Sequence, residues 1–208
     1  MRLFAVIPVK PFAEGKSRLK DILSDTARRD LNFHMLEHVL TVAASMIGAA
    51  NTIVVSADQT ALALARDHGA TTVREATCAG LNAALKVGAE HAVARGADAI
   101  LILPTDLPTL SLGDLEALLD CAKIPPCVII APDRSNRGTN ALLISPPDAI
   151  GFSFGPDSFT AHQVAAHAIP VNPVSVHRDG LAFDIDTPED YQQLERQGWD
   201  AIRSVAGN

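Results

Sequence analysis

Apolar and polar positions along this chain alternate between two periods, and the alternation predicts strands and helices in turn. Residues 3–9 form a short apolar run that reads as a strand. Residues 27–46 place Leu36, Val39, Leu40 and Ala43 on one helical face. Residues 52–56 read as a strand, 60–68 as a helix stopped by Gly69, and 71–74 as a short strand. An Ala-rich stretch, 81–95, predicts a helix ending at Gly96. The run Ala99-Ile100-Leu101-Ile102-Leu103 is apolar at every position, as in a parallel strand buried on both faces. A helix at 112–121 and strands at 128–131 and 141–144 follow. This is the signature of an α/β fold with a mostly parallel central sheet and helices on both faces. The last third breaks the rhythm. Residues 152–159 read as a loop, 159–168 as a helix, 170–176 and 182–185 as strands, and a final helix follows Thr187. No repeat or linker divides the chain, so one domain over 1–208 is expected.

Composition narrows the function classes. The formal net charge of -7 argues against a broad nucleic-acid or membrane-surface partner, though not against a local basic pocket. No apolar run is long enough to span a bilayer, and the N-terminal strand is too short for a signal peptide; a cytoplasmic protein is expected. Cys78, Cys121 and Cys127 show no Cys-x-x-Cys spacing and read as reduced packing residues.

Four segments could carry chemistry. The first is Leu103-Pro104-Thr105-Asp106-Leu107-Pro108. In open α/β sheets ligands bind beyond the carboxyl ends of parallel strands, so Asp106 stands where a carboxylate can hold a divalent cation on a phosphate. A turn or N-cap role is the alternative. The second runs from Pro8 to Leu19 and follows the first strand to the same sheet edge. Lys10, Lys16 and Arg18 put three cations in nine residues beside Gly15, which suits a polyphosphate as well as a solvated loop. It is not a Walker A loop, which needs glycine where Lys10 stands. The third is Phe183-Asp184-Ile185-Asp186-Thr187-Pro188-Glu189-Asp190. Along a strand Asp184 and Asp186 share a face, an arrangement for Mg²⁺ or Mn²⁺ or for water at a strand end. Thr187, Pro188 and Asp190 read as the N-cap, first residue and capping acid of the last helix. The fourth is an anion cradle in two parts. Arg134, Arg137, Thr139 and Asn140 surround a turn, and Gly155 and Ser158 precede a helix start, where backbone N–H groups take anions or simply make polar turns. His162 lies in that second loop and suits packing or substrate contact equally. His34 and His38, four apart on a helix, read as core-flanking residues. No Gly-x-Gly-x-x-Gly occurs, which weakens a dinucleotide-oxidoreductase reading.

In order along nearly the whole chain, six motifs resemble the guanylyltransferases of deazaflavin (coenzyme F-420) biosynthesis. They are Val6-Ile7-Pro8-Val9-Lys10 with Lys16-Ser17-Arg18-Leu19, Gly80-Leu81-Asn82-Ala83-Ala84-Leu85, the Asp106 segment, Gly138-Thr139-Asn140-Ala141-Leu142, Phe154-Gly155-Pro156 with Ser158-Phe159, and Asp184-Ile185-Asp186-Thr187-Pro188. That family includes enzymes acting on 2-phospho-L-lactate, phosphoenolpyruvate and 3-phosphoglycerate. The resemblance implies a nucleotide-diphospho-sugar transferase-like (GT-A type) nucleotidyltransferase fold. It also implies a Mg²⁺-dependent reaction, with one or two ions, of GTP with a phosphorylated three-carbon acid. Asp106, Asp184 and Asp186 match the metal-binding aspartates. Thr139, Gly155 and Ser158 match the loops that hold the acid, with Arg134, Arg137 and Asn140 beside them. Pro8, Lys10, Lys16, Arg18, Gly80, Leu81, Asn82 and Asp106 make the nucleotide set, Asn82 toward base or ribose, and Lys10, Lys16, Arg18 and Asp106 carry the catalytic roles. A homodimer, and hand-over of product to a downstream coenzyme-assembling transferase, are further expectations.

Two departures stand out. Asp157 occupies a position where the family has a small residue or glycine, and 74–79 lacks the usual glycine-rich lead into Gly80. Rival readings are a molybdopterin guanylyltransferase or cytidylyltransferase, against which Ile7-Pro8-Val9-Lys10 replaces a Leu-Ala-Gly-Gly type opening, and a non-catalytic nucleotide-binding module, against which three intact aspartates argue.

Overall fold

The computed structural model describes residues 1–75 and 80–199. A seven-stranded sheet forms its centre: β1 (Leu3–Val9), β2 (Thr52–Ser56), β3 (Thr71–Arg74), β4 (Ala99–Ile102), β5 (Cys127–Pro132), β6 (Thr139–Ser145) and β7 (Val174–Ser175). The spatial order is β3-β2-β1-β4-β6-β5-β7. β1 pairs in parallel with β2 and β4, in register Val6 to Ile53 and Val6 to Ile102. β6 runs antiparallel to both its neighbours. The helices are α1 (Asp25–Ile47), α2 (Gln59–Asp67), α3 (Leu81–Ala94), α4 (Leu112–Cys121), α5 (Ser158–Ala168), α6 (Asp179–Ala182) and α7 (Pro188–Arg196).

Strand side chains alternate, so the sheet feeds two cores. Ala5, Ile7, Val54, Leu101, Ile129 and Leu143 pack with Leu36, Val39 and Leu40 of α1, Ala61 and Leu62 of α2, and Leu115 and Leu118 of α4. Val6, Ile53, Ile100, Ile130 and Leu142 face the other way, against Ala84, Leu85 and Ala89 of α3 and Ala166 of α5. α3 lies close on the sheet because Gly88 meets it: a Cβ there would clash with Val6 and crowd Val55. A third, smaller core joins Leu19, Leu31, Met35, Phe183, Ile185, Tyr191 and Leu194. It cements the loop after β1 to the segment before α7, and so fixes the site described below.

The strands expected at 170–176 and 182–185 do not form as such. The first shortens to β7, and the second gives way to α6 and an extended segment. Phe183 and Ile185 are nonetheless buried while Asp184 and Asp186 are part-exposed. The reason is packing rather than a ladder: apolar side chains dock in the third core, and a single bond, Ile185 N–H to the Asp106 carbonyl (3.2 Å), ties the segment to the loop after β4. Cys127 is buried as a packing residue, whereas Cys121 is exposed on α4; Cys78 lies outside the described residues. Among the described residues no helix is long and apolar enough to cross a membrane.

Candidate active site

The carboxyl ends of β1, β2, β3 and β4 share one sheet edge because these strands are parallel. β6 is antiparallel, and its register (Ile102 to Leu142, Pro132 to Thr139) brings its first residues, Thr139 and Asn140, to the same edge. Sequence segments as far apart as Pro8 and Asp186 therefore converge there. A cleft of about 550 Å³ opens at this edge, lined by Pro8, Lys10, Lys16, Arg18, Gly80, Leu81, Asp106 and Asp186 among others.

Lys16 lies at its centre. Its Nζ sits 3.2 Å from Asp106 Oδ2 and 3.4 Å from Asp186 Oδ1, and only 8% of the side chain is exposed. Burial works against its charge, but the two carboxylates outweigh it and hold its pKa above the usual lysine value. Arg18 Nη1 reaches Asp186 Oδ2 at 3.1 Å from the solvent side. Lys10 is exposed and lines the cleft. Asp184 accepts from Asn140 Nδ2 (3.2 Å). Its pKa is raised, first by burial and then by the charges of Asp106 and Asp186, with Asn140 opposing. Three carboxylates thus face one another closely enough to perturb each other. Among the described residues no group of three or more His, Cys, Asp or Glu side chains closes into a metal-holding set as it stands, and Lys16 is the cation between two of the acids. The donor chemistry itself, carboxylate oxygen from three side chains, fits a hard divalent ion, although Lys16 and Arg18 already pair with two of them.

The loop that carries Lys16 is held from behind by residues the sequence reading passed over. Asn32 Nδ2 donates to the Phe12 carbonyl (3.0 Å), Arg28 Nη1 to the Gly15 carbonyl (3.1 Å), and Asp58 accepts from Phe12 N–H (2.8 Å) while capping α2. Lys16 itself adopts left-handed geometry (φ 55°, ψ 39°), which costs about 1–2 kcal/mol and persists only where neighbours over-determine it. Gly15 presses on Asn32: a Cβ on it would come within 2.5 Å of Nδ2. A usable signal was present, since Arg28 and Asn32 continue the α1 face of Met35 and Leu36, and polar residues on an apolar face need partners. Asn32→Leu is expected to strand the Phe12 carbonyl, cost roughly 1–3 kcal/mol and lower turnover about tenfold. A thermal melt and initial rates check both; unchanged values would show that the loop holds its shape without Asn32.

The acid-side residues divide. Thr139 Oγ1 lies 3.0 Å from His162 Nδ1, and His162 Nε2 accepts from the Ser153 N–H (3.1 Å). Asn140 bridges Asp184 and the Leu181 carbonyl. Arg134 is occupied elsewhere: it pairs with Asp190, bonds Gln193 (3.2 Å) and stacks 4.9 Å over the Phe183 ring, bracing α7. Arg137, exposed, pairs with Asp157 at 3.0 Å. Asp157 has φ 57°, a conformation that glycine adopts without cost and that aspartate tolerates better than most residues. Gly155, at φ 135°, bends the chain before α5, and Ser158 is buried as its first residue. Asn82, expected toward base or ribose, uses both amide atoms on the Phe154 backbone (2.9 and 3.0 Å) and so clamps the 152–155 loop to the start of α3. Thr187, Pro188 and Asp190 form the cap expected of them.

Burial pushes the His162 imidazole down to about 4. The unfolded chain takes up a proton near pH 6.5 that the folded protein refuses until about pH 4. Stability from this group is therefore complete above pH 6.5 and declines as pH falls toward 4, by roughly 3 kcal/mol at the limit. His162→Gln is expected to flatten the fall in melting temperature between pH 7.5 and pH 5. An identical fall in both proteins would assign the pH dependence to other groups.

Comparisons with known proteins find similar sequences and similar folds. The family described as guanylyl transferase CofC like matches residues 3–202. A phosphoenolpyruvate guanylyltransferase of Rubrobacter xylanophilus is 44% identical over 198 residues, 95% of this chain and 96% of that protein. Another from Sphaerobacter thermophilus is 41% identical, covering 93% of each chain. A 3-phospho-D-glycerate guanylyltransferase of Colwellia psychrerythraea is 33% identical over 93% of this chain and 91% of that protein. Among solved structures, a protein assigned as a nucleotide-diphospho-sugar transferase from Desulfovibrio desulfuricans G20 superposes with TM-score 0.71 at 16% identity, over 98% of this chain and 97% of that one. A nucleotidyl transferase from Methanothermobacter gives 0.62 at 17%, over 98% and 99%. These structures share the α/β fold of this chain.

Proposed function

Because the chain belongs to the CofC-like guanylyl transferase family, we propose that it transfers the guanylyl group of GTP to a phosphorylated three-carbon carboxylic acid, phosphoenolpyruvate first among the candidates. A phosphate oxygen of the acid attacks the α-phosphorus, the new P–O bond forms in line as the bond to the β-phosphate oxygen breaks, and pyrophosphate leaves. The products are a guanosine diphospho-acid and pyrophosphate, for use in deazaflavin coenzyme assembly.

The observation that carries this reading is the convergence of Lys10, Lys16 and Arg18 with Asp106 and Asp186 on one cleft. Both reactants are polyanions. Two like charges 4 Å apart repel by about 4 kcal/mol at an intermediate dielectric, and several such pairs must coexist. Lys10, Lys16 and Arg18 would hold the β- and γ-phosphates, and Gly80 and Leu81, which line the cleft at the start of α3, would approach the nucleotide. Thr139, Gly155 and Ser158 would receive the carboxylate end. Asp106, Asp184 and Asp186 would hold Mg²⁺, which when bound neutralises charge between the two phosphates. Catalysis then rests on positioning and charge, with no covalent enzyme intermediate.

Phosphoenolpyruvate is favoured because the relatives at 44% and 41% identity carry that name and the 3-phospho-D-glycerate relative stands at 33%. The test is pyrophosphate release from purified protein with GTP and Mg²⁺, adding phosphoenolpyruvate, 3-phosphoglycerate and 2-phospho-L-lactate one at a time. Release with one acid, lost on chelation of the metal, is the expected result. Release with none, despite GTP binding, would overturn it.

A further inference from the structure

We propose that His162 is a positioning residue that locks the Thr139 hydroxyl as a hydrogen-bond donor toward an anionic oxygen of the acid substrate. The inference rests on the placing of Thr139 at the acid, and deepens it.

The argument is one of hydrogen counting. The Ser153 backbone N–H can only donate, and it points at His162 Nε2 (3.1 Å). Nε2 must therefore carry a lone pair. An imidazole with a bare Nε2 is neutral and has its proton on Nδ1. That proton is 3.0 Å-bonded to Thr139 Oγ1, so the threonine oxygen accepts. A hydroxyl has one hydrogen of its own, and among the described residues no other partner of Thr139 Oγ1 is found. The hydrogen is thus left to a ligand. Thr139 opens β6 at the sheet edge where the cleft opens, next to Asn140, whose amide already reaches Asp184.

The lock is built into the packing. His162 is fully buried on α5, and the Phe154 ring meets it edge-on at 4.9 Å. Phe154 is fixed in turn through its backbone by Asn82 at the start of α3. The ring can neither flip nor gain a proton near neutral pH without breaking one of these contacts. A free threonine hydroxyl could turn its lone pairs toward an anion and repel it. With its lone pair engaged by Nδ1–H, it meets carboxylate or phosphate oxygen as a donor, with no reorganisation on binding.

Two substitutions separate this role from a merely structural one. Asparagine carries its amide on Cγ, as histidine carries Nδ1, and so can still donate to Thr139. Glutamine places its amide near Nε2 and can still accept from Ser153. His162→Gln is expected to raise the KM for the acid about tenfold with the KM for GTP little changed, and His162→Asn to raise it clearly less. In a Thr139→Val background neither should add to the effect of that change. The reverse order of the two variants, or full additivity with Thr139→Val, would overturn the proposal, because holding the Ser153 loop would then be the function of the ring. A readout free of turnover is ring nitrogen NMR of the wild-type protein: a neutral Nδ1–H tautomer at pH 7 is expected, and an Nε2–H or charged ring overturns the proposal. If Thr139→Val itself leaves the acid KM unchanged while GTP is still consumed with that acid, it is the placing of the acid at Thr139 that fails.

Discussion

Asp106→Asn is expected to lose at least about 100-fold in turnover while melting within a few degrees of wild type. The substitution keeps size and shape and removes only the charge. Asp106 follows β4 between two prolines, so its backbone stays put, and its carboxylate is part-exposed rather than a core group. Lys16 retains Asp186 at 3.4 Å, so the structural loss is about 1 kcal/mol, a few degrees at most for a chain of this size. The catalytic loss is larger because the charge acts where two polyanions must meet, and a single such electrostatic contact is commonly worth 10²–10³ in rate. Pyrophosphate release and a thermal melt on the same preparation decide the matter. Near-wild-type turnover would remove Asp106 from the chemistry.

Lys16→Met is expected to have the second-largest effect, and of a different kind. Rate should fall by at least about 100-fold, since a nearly buried ammonium that contacts two site carboxylates is lost. Stability should fall as well. Without Lys16, Asp106, Asp184 and Asp186 face one another with Arg18 on Asp186, and because Asp106 and Asp186 are 29% and 47% exposed the loss is about 1–3 kcal/mol, below that of a fully buried pair. The distinguishing outcome is the response to divalent cation. At the proposed cation site Lys16 would compete with an incoming ion for Asp106 and Asp186, and in the variant that competitor is gone. Millimolar Mg²⁺ should therefore raise the melting temperature of Lys16→Met more than that of wild type. Equal responses would mean that Lys16 does not stand where the cation binds.

The fold was readable to the extent that it depends on local pattern. Leu3–Val9, Thr52–Ser56, Thr71–Arg74 and the helix Leu112–Cys121 fall where hydrophobic period and caps placed them. The caps were equally plain, because Thr187, Pro188 and Asp190 act within one turn of chain. The segment before them was not. Residues 182–185 carry a strand-like alternation, and the alternation of burial is real, but no neighbouring strand lies there to pair with. Period reports which side chains go in, not what they pack against.

The site shows the same division. That Lys10, Lys16, Arg18 and Asp106 would share one cleft could be anticipated, because strand ends at one edge of a parallel sheet must come together. For Arg134 and Arg137 the sequence names the group but not the partner. A guanidinium in a polar turn looks the same whether it meets a ligand or, as here, Asp190 and Asp157, and composition cannot count partners. Asn82 is a similar case, its amide closed on Phe154.

By itself, then, the sequence determined what is short-ranged: the strand and helix periods, the caps, the order of motifs that marks the family, and the edge at which charge would gather. Tertiary structure decided what depends on distant pairs. The antiparallel direction of β6 brings Thr139 and Asn140 beside β4, and the third core sets Asp186 against Lys16 across 170 positions. The Ser153 N–H, by choosing the side of the His162 proton, sets the direction of the Thr139 hydroxyl. Hydrogen-bond polarity and charge pairing are properties of neighbours in space, and a linear chain names the groups without saying which will meet.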